Sequence, residues 1–403
     1  VLAWDVLAGS PDPDMALNNW ERFTTVCGDP ELHFEQLLSQ PKRLELLLKI
    51  FSSSQFLADI LIKHPDFFDW VTEPVRIKRI RGREEIAGDL SSASVACPDT
   101  ASWRAAIRRL RKREILRIAT RDICLGVPIE EIMLELSHLA EGFIEAELER
   151  NLPSPERSVF CVCAFGKLGG SELNYSSDLD LLGIYDPKDS DGEDLLRREE
   201  RLTEALELLR SDLSDYTDEG YVYRIDFRLR PYGSAGTLIT PLPVLIEYYS
   251  RSASQWEFQA LLKLRPVGGD PELGSRVMDR LRSFLVKENV REEVVHSIRE
   301  LRKSAIAETD RSLLSGTDIK SGRGGIRDIE FLLQGFQLIF CNRYPSILTG
   351  NTLTGLGRLA EAGLLPEKTA EDLKRDYAYL RRVDHFLQIL EDRQTHSIPK
   401  DVE

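Results

Sequence analysis

A glycine-rich turn joined to two closely spaced aspartates constrains this chain more than any other feature of its sequence. The stretch GKLGGSELNYSSDLDLLGIYD covers residues 166–186. Side chains alternate between the two faces of a β-strand, so Asp178 and Asp180 are predicted to project together while Leu179 and Leu181 point into a core. Two neighbouring carboxylates repel each other, so a protein keeps such a pair either because it titrates unusually or, as is favoured here, because a divalent cation lies between the two groups. We therefore expect a divalent metal ion at this strand.

A second strand, rich in arginine, is predicted in the downstream segment YVYRIDFRLRPYGSAG. Period-two alternation over residues 222–230 places Asp226 on the same face as Arg224, Arg228 and Arg230. A third aspartate among arginines would complete a site in which three carboxylates hold two Mg²⁺ ions and the arginines contact phosphate oxygens. This pattern is typical of phosphoryl or nucleotidyl transfer.

Two glycine-bearing loops are further candidates for contacts with phosphate. Gly170 and Ser171 are candidates for donating backbone N–H groups, although a glycine pair also forms an ordinary turn. In the segment DIKSGRGGIRDIEF, three glycines precede a helix predicted to begin near Ile326. Free N–H groups at that helix start, together with Arg323 or Arg327, would suit an anion. The alternative for this loop is a plain helix start.

Composition indicates a soluble globular protein: the 403-residue chain is 42% hydrophobic and carries a net charge of −14. Its acidic balance argues against nucleic acid as a partner, and no segment approaches the ~18 apolar residues of a membrane span. The six scattered cysteines predict reduced thiols and a cytoplasmic location. Because the chain begins at Val1 and stops at Glu403 in mid-sequence, we also expect a piece of a longer protein.

Helical segments are predicted on both sides of an α/β middle third. Helix-spaced apolar residues fill residues 1–150, a linker with proline and serine follows, and residues 159–165 predict a buried strand. The polar segment DPKDSDGED predicts a solvated turn, and helical periodicity returns after about residue 270. The arginine-rich helix at residues 104–117 is more typical of a solvated face than of a binding surface.

Four motifs of this chain occur in the order and spacing of a known family. GKLGGSELNYSSDLDLLGIYD, YRIDFRLRPYGSAG, QWEFQALLKLRPVGG and DIKSGRGGIRDIEF resemble successive motifs of glutamine synthetase adenylyltransferase, the bifunctional adenylylating and adenylyl-removing enzyme. The resemblance extends over nearly the whole chain. Family members carry two tandem nucleotidyltransferase units. This chain resembles the N-terminal, adenylyl-removing unit through SPDPDMALNNWERF near its start, GGIRDIEF, and YLRRVDHFLQILEDRQTHSIP near its end.

The resemblance implies an α+β fold with a nucleotidyltransferase core of the DNA polymerase β type and a mixed sheet. We expect an N-terminal helical region at residues 1–150, the core at residues 151–270 and a C-terminal helical domain at residues 271–403. The implied reaction is the attack of inorganic phosphate on AMP attached to a tyrosine of glutamine synthetase, which releases ADP and regulates nitrogen metabolism. The alternatives are ATP-dependent adenylylation of the same target, and a non-catalytic module that binds nucleotide or PII.

The same resemblance assigns roles to particular residues. It implies that Asp178, Asp180 and Asp226 are catalytic and hold Mg²⁺ or Mn²⁺. The residues expected to bind phosphate or nucleotide are Gly170, Ser171, Arg228, Arg230, Lys320 and Arg327. The implied substrates are phosphate with ADP as product, or ATP in the forward direction. The implied partners are adenylylated glutamine synthetase and, for the full-length enzyme, the PII signalling protein.

Overall fold

A computed structural model describes residues 2–187, 192–286, 291–311, 317–390 and 395–398. The first part of the chain is helical, with α1 (Leu2–Ala8), α2 (Pro13–Val26), α3 (Pro30–Ser39), α4 (Pro41–Ser53), α5 (Gln55–Lys63), α6 (Asp66–Thr72), α7 (Pro74–Ile77), α8 (Arg83–Ala96), α9 (Thr100–Leu125), α10 (Ile129–Asn151) and α11 (Ser154–Arg157). Within the described ranges, no helix combines the length and the apolar character needed to cross a membrane.

The middle of the chain mixes strands and helices: β1 (Phe160–Ala164), α12 (Gly166–Gly169), β2 (Leu179–Tyr185), α13 (Gly192–Ser214), β3 (Ile225–Asp226), a 3-10 helix (Gly233–Ala235), β4 (Ile239–Pro241), α14 (Leu242–Arg251), α15 (Gln255–Leu261) and β5 (Arg265–Gly269). The remaining elements are α16 (Pro271–Leu285), α17 (Arg291–Arg311), β6 (Thr317–Asp318), α18 (Ile326–Phe340), a 3-10 helix (Pro345–Ile347), α19 (Thr352–Glu361), α20 (Glu367–Ile389) and β7 (Ser397–Ile398).

The central sheet is mixed and confirms the predicted α+β class. Its strand order is β3-β2-β1-β5, and β4 also pairs with β2. Strand β1 runs antiparallel to β2 and to β5, whereas β3 and β4 both run parallel to β2. Strand β1 lies where the apolar run at residues 159–165 predicts a strand. In this arrangement the start of β2 lies beside β3.

Both faces of the sheet are buried, which explains the apolar sequence of its central strands. Val162 and Leu181 pack with the N-terminal helices, while Cys163 and Leu182 pack with α14 to α16 on the other face. The first of these cores is continuous from the N-terminal helices into the sheet. The proposed domain boundaries near residues 150 and 270 therefore stay a prediction.

The arginine-rich helix departs from the sequence-based expectation of a solvated face. Arg117 is fully buried in α9, where its guanidinium donates hydrogen bonds to Glu114 at 2.9 Å and to Glu135 at 2.7 Å. Glu135 lies on α10, so its proximity depends on helix packing and not on spacing within α9. Buried charges of this kind need close partners, and the partner helix supplies them.

The predicted arginine-bearing strand at residues 222–230 is also wrong in its extent. Only Ile225–Asp226 pairs with a neighbour, as β3. The Asp226 carboxylate accepts a hydrogen bond from the backbone N–H of Arg228 at 2.7 Å, which turns the chain away from the sheet. Most of the segment DPKDSDGED, predicted as a solvated turn, lies outside the described residues.

Candidate active site

Three aspartates, here called the aspartate triplet, line one cleft at the start of β2. Asp180 on β2 and Asp226 on β3 are register partners across the parallel pair, and Asp178 directly precedes β2. In-register side chains of adjacent strands lie on the same side of a sheet. All three line a cleft with a volume of about 590 Å³. The structure therefore brings together the carboxylates that the sequence nominated.

Asp180 is the most perturbed member of the aspartate triplet. Burial raises its pKa to about 6, and the neighbouring charges of Asp226 and Asp178 act in the same direction. Negative charge at this point is thus only partly compensated by the protein. Perturbed carboxyls in clefts are common at functional sites, since chemistry requires groups with unusual affinity for protons or cations.

The other two aspartates of the triplet each form an ion pair with an arginine from the segment around β3. Arg224 donates to Asp178 at 2.5 Å, and the Arg228 guanidinium contacts both Asp226 oxygens, with the shortest distance at 2.6 Å. Hydrogen bonds from Arg228 hold the pKa of Asp226 below its usual value. The Arg228 side chain is 81% exposed, so it can leave Asp226 without disturbing the core.

Gly166 allows the chain to approach Asp180 closely. Its φ is +59°, and a Cβ atom built on it would lie 2.8 Å from Asp180 Oδ2. A side chain at this position would be strained in its backbone and would also collide with the carboxylate. The glycine that opens α12 is therefore required by the geometry of the aspartate.

Three basic side chains, here called the basic triplet, line the same cleft from separate elements: Lys167, Lys320 and Arg327. Burial lowers the pKa of Lys167 to about 7, although Asp384 lies 3.5 Å from its Nζ. Burial also lowers the pKa of Lys320. The Arg327 guanidinium forms no ion pair with another described residue. Lys167 follows directly after Gly166, and the sequence alone did not separate its role from an ordinary turn.

Buried acids hold the lysines of this region in place. Glu330 accepts from Lys263 at 2.9 Å; burial raises the pKa of Glu330, but the Lys263 charge outweighs it and lowers the pKa to about 2. Asp384 accepts from His396 at 2.6 Å, and the His396 ring lies 3.3 Å from Lys320 Nζ. Sequence reasoning missed these groups because their partners lie far apart along the chain.

Three nominated residues lie outside the cleft lining and use their donors elsewhere. The N–H groups of Gly170 and Ser171 donate to carbonyls of the α12 turn at 3.1 and 3.0 Å. The Arg230 guanidinium donates to backbone carbonyls of the loop after β3, including that of Phe227 at 2.8 Å. These residues shape the turn and the loop that carry the aspartate triplet and Arg228.

The expectation of free N–H groups at the start of α18 is wrong. The N–H of Gly324 donates to the Asp328 carboxylate at 2.7 Å, and the N–H of Ile326 donates to the carbonyl of Ile319 at 2.9 Å. The loop therefore satisfies its own donors. Its contribution to the cleft comes from the side chains of Lys320 and Arg327, while Arg323 lines a different cavity.

That second cavity is larger, about 900 Å³, and lies between α17 and α18. Its walls are mostly apolar and include Phe331, which also lines the cleft. Among its described lining residues the acid is Asp328, which is already paired with Arg302. The group of three carboxylates that a metal ion would need therefore lies in the smaller cleft.

The donor set of the cleft suits a divalent cation. Within the described ranges, no three His, Cys, Asp or Glu side chains are grouped tightly enough to form a ready-made metal centre. The aspartate triplet nevertheless offers the oxygen ligands that Mg²⁺ and Mn²⁺ prefer, and burial together with the neighbouring charges of Asp226 and Asp178 raises the pKa of Asp180. A bound cation would replace Arg224 and Arg228 as the partner of Asp178 and Asp226.

Comparison with known proteins identifies the family. Residues 44–280 match the family model described as glutamate-ammonia ligase adenylyltransferase, and residues 292–403 match one described as GlnD PII-uridylyltransferase. The chain belongs to the glutamate-ammonia ligase adenylyltransferase family. The cleft draws on both matched segments, since the aspartate triplet lies in the first, and Lys320 and Arg327 lie in the second.

Curated relatives of this adenylyltransferase family support the assignment. The chain is 34% identical to a bifunctional glutamine synthetase adenylyltransferase/adenylyl-removing enzyme of Thioalkalivibrio sulfidiphilus, with 89% of the chain and 38% of the relative covered. Enzymes of the same description from Streptomyces coelicolor and Nitrosomonas eutropha are 34% and 37% identical, over 98% and 79% of the chain and 40% and 36% of the relative. The chain thus spans about two fifths of the length of these relatives.

Proposed function

We propose that this chain removes AMP from an adenylylated tyrosine of glutamine synthetase by phosphorolysis. An oxygen of inorganic phosphate forms a bond to the adenylyl phosphorus, the bond to the tyrosyl oxygen breaks, and ADP and the free tyrosine are the products. The observation that carries the proposal is the in-register pair Asp180 and Asp226, lining one cleft with the basic triplet. The relatives are described as having an adenylyl-removing activity.

The aspartate triplet is the proposed binding site for Mg²⁺ or Mn²⁺. When bound, such ions stabilise the charge on the attacking and leaving oxygens of an in-line displacement. Carboxylates at the ends of adjacent strands of a mixed sheet also fit a core of the DNA polymerase β type, and we propose that fold for the segment around β1 to β5. Gly166 leaves room for the Asp180 carboxylate, which a Cβ atom at this position would meet at 2.8 Å.

The basic triplet is proposed to bind the attacking phosphate. Cations fixed in a partly dry cleft interact strongly with oxyanions and need little rearrangement during the reaction. Arg228, exposed at the edge of the cleft, is proposed to contact the adenylyl phosphate, and Asp226 would then be available to hold a metal ion. In this proposal Gly170, Ser171 and Arg230 support the surrounding backbone and do not bind phosphate directly.

The proposed partners follow from the same assignment. Adenylylated glutamine synthetase is the proposed protein substrate, so the enzyme would act in the regulation of nitrogen metabolism. The match of residues 292–403 to a PII-uridylyltransferase model supports PII as a regulatory partner of the full-length enzyme. The described cysteines are all free thiols, in keeping with our proposal of a cytoplasmic location.

ATP-dependent adenylylation of glutamine synthetase is the second candidate, because the relatives are described as carrying both activities. The two are separated by incubating the chain and Mg²⁺ either with adenylylated target and phosphate or with unmodified target and ATP. Release of ADP in the first reaction supports removal. Transfer of AMP in the second reaction assigns the forward activity instead.

The catalytic origin of the signal is tested with substitutions in the aspartate triplet. Asp178→Asn and Asp226→Asn each keep the side-chain shape but remove a ligand charge, and we expect turnover to fall by at least about 10²-fold. Asp279→Asn is the matched control, since Asp279 is exposed on α16 and lies outside the cleft. Unchanged turnover in both site variants would refute a catalytic role for the triplet.

A further inference from the structure

A small cavity with aromatic walls lies directly beside the cleft and has no role in the phosphate chemistry described above. Its volume is about 250 Å³. The aromatic residues that line it are Phe165, Tyr232, Tyr248, Tyr249 and Trp256. It shares four lining residues with the cleft, namely Arg228, Leu229, Trp256 and Ala260. This aromatic pocket is therefore continuous with the place where the adenylyl phosphorus would react.

Two of the aromatic rings are exposed where burial would be expected. Tyr232 is 62% exposed and Trp256 is 43% exposed, although both are large side chains at the mouth of a concave site. The ring of Tyr232 packs edge-on against Tyr248, with 5.0 Å between the ring centroids. Aromatic surface left open in a pocket is typical of ligand sites, because it becomes covered when the ligand binds.

The backbone of Tyr232 has a conformation that is rare for a bulky residue. Its φ is 63° and its ψ is 14°, the left-handed region that favours glycine or asparagine, and Tyr232 is one of two non-glycine residues with positive φ among those described. A bulky residue is strained in this conformation, and such strain clusters at functional sites. Folding alone would favour a smaller residue at this position, which indicates that the aromatic ring of Tyr232 has a function.

The remaining wall of the aromatic pocket is rigid. The hydroxyl of Tyr248 donates to Glu257 Oε1 at 2.5 Å, while Glu257 Oε2 accepts the N–H of Ser254 at 2.8 Å as part of a capping box at the start of α15. Tyr249 packs against Phe258 with ring centroids 5.8 Å apart. The pocket therefore keeps its shape without a ligand, which lowers the entropic cost of binding one.

We propose that the aromatic pocket binds the adenine ring of the adenylyl group, with Arg228 at the shared rim directed towards its phosphate. A planar purine can stack on the exposed rings of Tyr232 and Trp256, and stacking of this kind is a major source of affinity for bases. Glu257 lines the pocket, and its Oε1 atom, which accepts one hydrogen bond from Tyr248, keeps a second acceptor position for the exocyclic amino group of adenine. This inference rests on the proposed function for its substrate class, an adenine nucleotide.

The other planar ring in the proposed reaction is the tyrosyl ring of the protein target. Its oxygen is esterified to phosphorus in the adenylylated form, so this ring has no hydrogen-bond donor to offer to Glu257. Adenine carries such a donor and is the better match for a pocket that combines aromatic walls with a carboxylate. Binding of the tyrosyl ring in this pocket is the alternative that the experiment distinguishes.

The test is calorimetric titration of the whole chain, in the presence of Mg²⁺, with ADP and separately with pyrophosphate, which lacks the base. Trp256→Ala and Tyr232→Asn are the test variants; asparagine tolerates the left-handed backbone, so the second variant removes the ring while keeping the loop. Tyr216→Ala is the control, since Tyr216 is 80% exposed and lies outside both cavities. We expect ADP to bind at least about tenfold more weakly to both test variants, and pyrophosphate to bind them unchanged.

Other results would overturn the inference. Equal weakening of ADP and pyrophosphate would indicate a distorted cleft, and unchanged ADP affinity would show that the base does not use the pocket. A raised KM for adenylylated target with unchanged ADP affinity would assign the pocket to the tyrosyl ring. A chain that binds ADP through Trp256 yet releases none from the adenylylated target would refute the proposed reaction while keeping the adenine site.

Discussion

Asp180 and Asp226 occupy equivalent positions on two parallel strands, so their carboxylates are fixed side by side by the register of the sheet. The register is set by the pairing of Leu179 with Ile225 one residue earlier. Leu179 is fully buried, and a slip of one residue would bring it out of the core. The packing of the sheet thus enforces the electrostatic repulsion that a cation would relieve.

Replacing Asp180 with asparagine is expected to stabilise the metal-free chain and to inactivate it. The folded-state pKa of Asp180 is raised, so the folded state binds the proton more tightly than the unfolded state does and stability falls as pH rises from about 4 to about 6. Above that window, Asp180→Asn should raise the free energy of unfolding by roughly 3 kcal/mol. Urea titrations at pH 5 and pH 8 check this, and equal effects at both would contradict it.

Gly166→Ala is expected to abolish most activity through its collision with Asp180. The matched control is Gly126→Ala, because Gly126 has nearly the same φ, +61°, with no neighbouring atom within 4 Å of the added methyl group. Both variants should lose about 1 kcal/mol of stability from backbone strain. Only the Gly166 variant should lose turnover, by about 10²-fold or more. Similar turnover in the two variants would show that the space beside Asp180 at Gly166 is not needed for activity.

The affinity for phosphate is expected to depend on the protonation of Lys167. Its folded-state pKa is lowered to about 7, so the protonated form that binds phosphate is lost as pH rises through about 7. KM for phosphate should therefore rise more steeply between pH 6 and pH 9 in the wild type than in Lys167→Arg, because arginine stays charged. Phosphate itself titrates equally in both experiments, so the comparison corrects for it. Parallel pH profiles of KM in the two proteins would show that protonation of Lys167 does not control phosphate binding.

Arg327, near the start of α18, is expected to contribute to phosphate binding, whereas Arg323, four residues earlier in the preceding loop, is not. Arg327→Ala removes a guanidinium from the cleft and should raise KM for phosphate by about tenfold. Arg323→Ala is the control, since Arg323 lines the larger apolar cavity between α17 and α18. Steady-state kinetics with phosphate varied make the comparison. Equal effects of the two substitutions would contradict the placement of the phosphate.

The buried arginine of α9 is expected to matter for stability and not for catalysis. Arg117→Met removes the cation that bridges the buried Glu114 and Glu135, which keep Arg81 and Arg121 as their remaining partners, and this should cost about 3 kcal/mol. Lys49→Met, which breaks an exposed pair with Glu45, should change stability by less than about 1 kcal/mol. Urea unfolding measures the free energy of unfolding of both variants. A loss below about 1 kcal/mol in Arg117→Met would contradict the expectation that its buried ion pairs stabilise the fold.

The sequence predicted the local parts of this structure well. Period-two alternation placed Asp178 and Asp180 on one side of β2, and a bounded apolar run located β1. The six nominated side chains that meet in the cleft are Asp178, Asp180, Asp226, Arg228, Lys320 and Arg327. Their chemical roles stay predictions. The strand positions follow from alternation and apolar runs, which depend on neighbours a few residues away, whereas the phosphate-binding roles of Arg228, Lys320 and Arg327 were expected from the family resemblance.

The failures concern groups whose partners are distant in sequence. In the sequence Arg117 has the pattern of a surface residue, but in the fold it is buried against Glu135 of the next helix. Lys167 has the pattern of a turn residue, but in the fold it lies beside Asp384. Hydrogen bonding within a loop was a second source of error. Asp328 satisfies the N–H of Gly324, so the donors that appear free in the sequence are already used. Periodicity carries no information about either effect.

The central claim is most directly tested by supplying inorganic phosphate labelled with ³²P to the chain, Mg²⁺ and adenylylated glutamine synthetase. Phosphorolysis transfers the incoming phosphate to AMP, so we predict that the label appears in the β-phosphate of ADP and that Asp178→Asn abolishes it. Release of unlabelled AMP would indicate hydrolysis. No release of nucleotide by the wild-type chain would contradict the proposed adenylyl-removing activity.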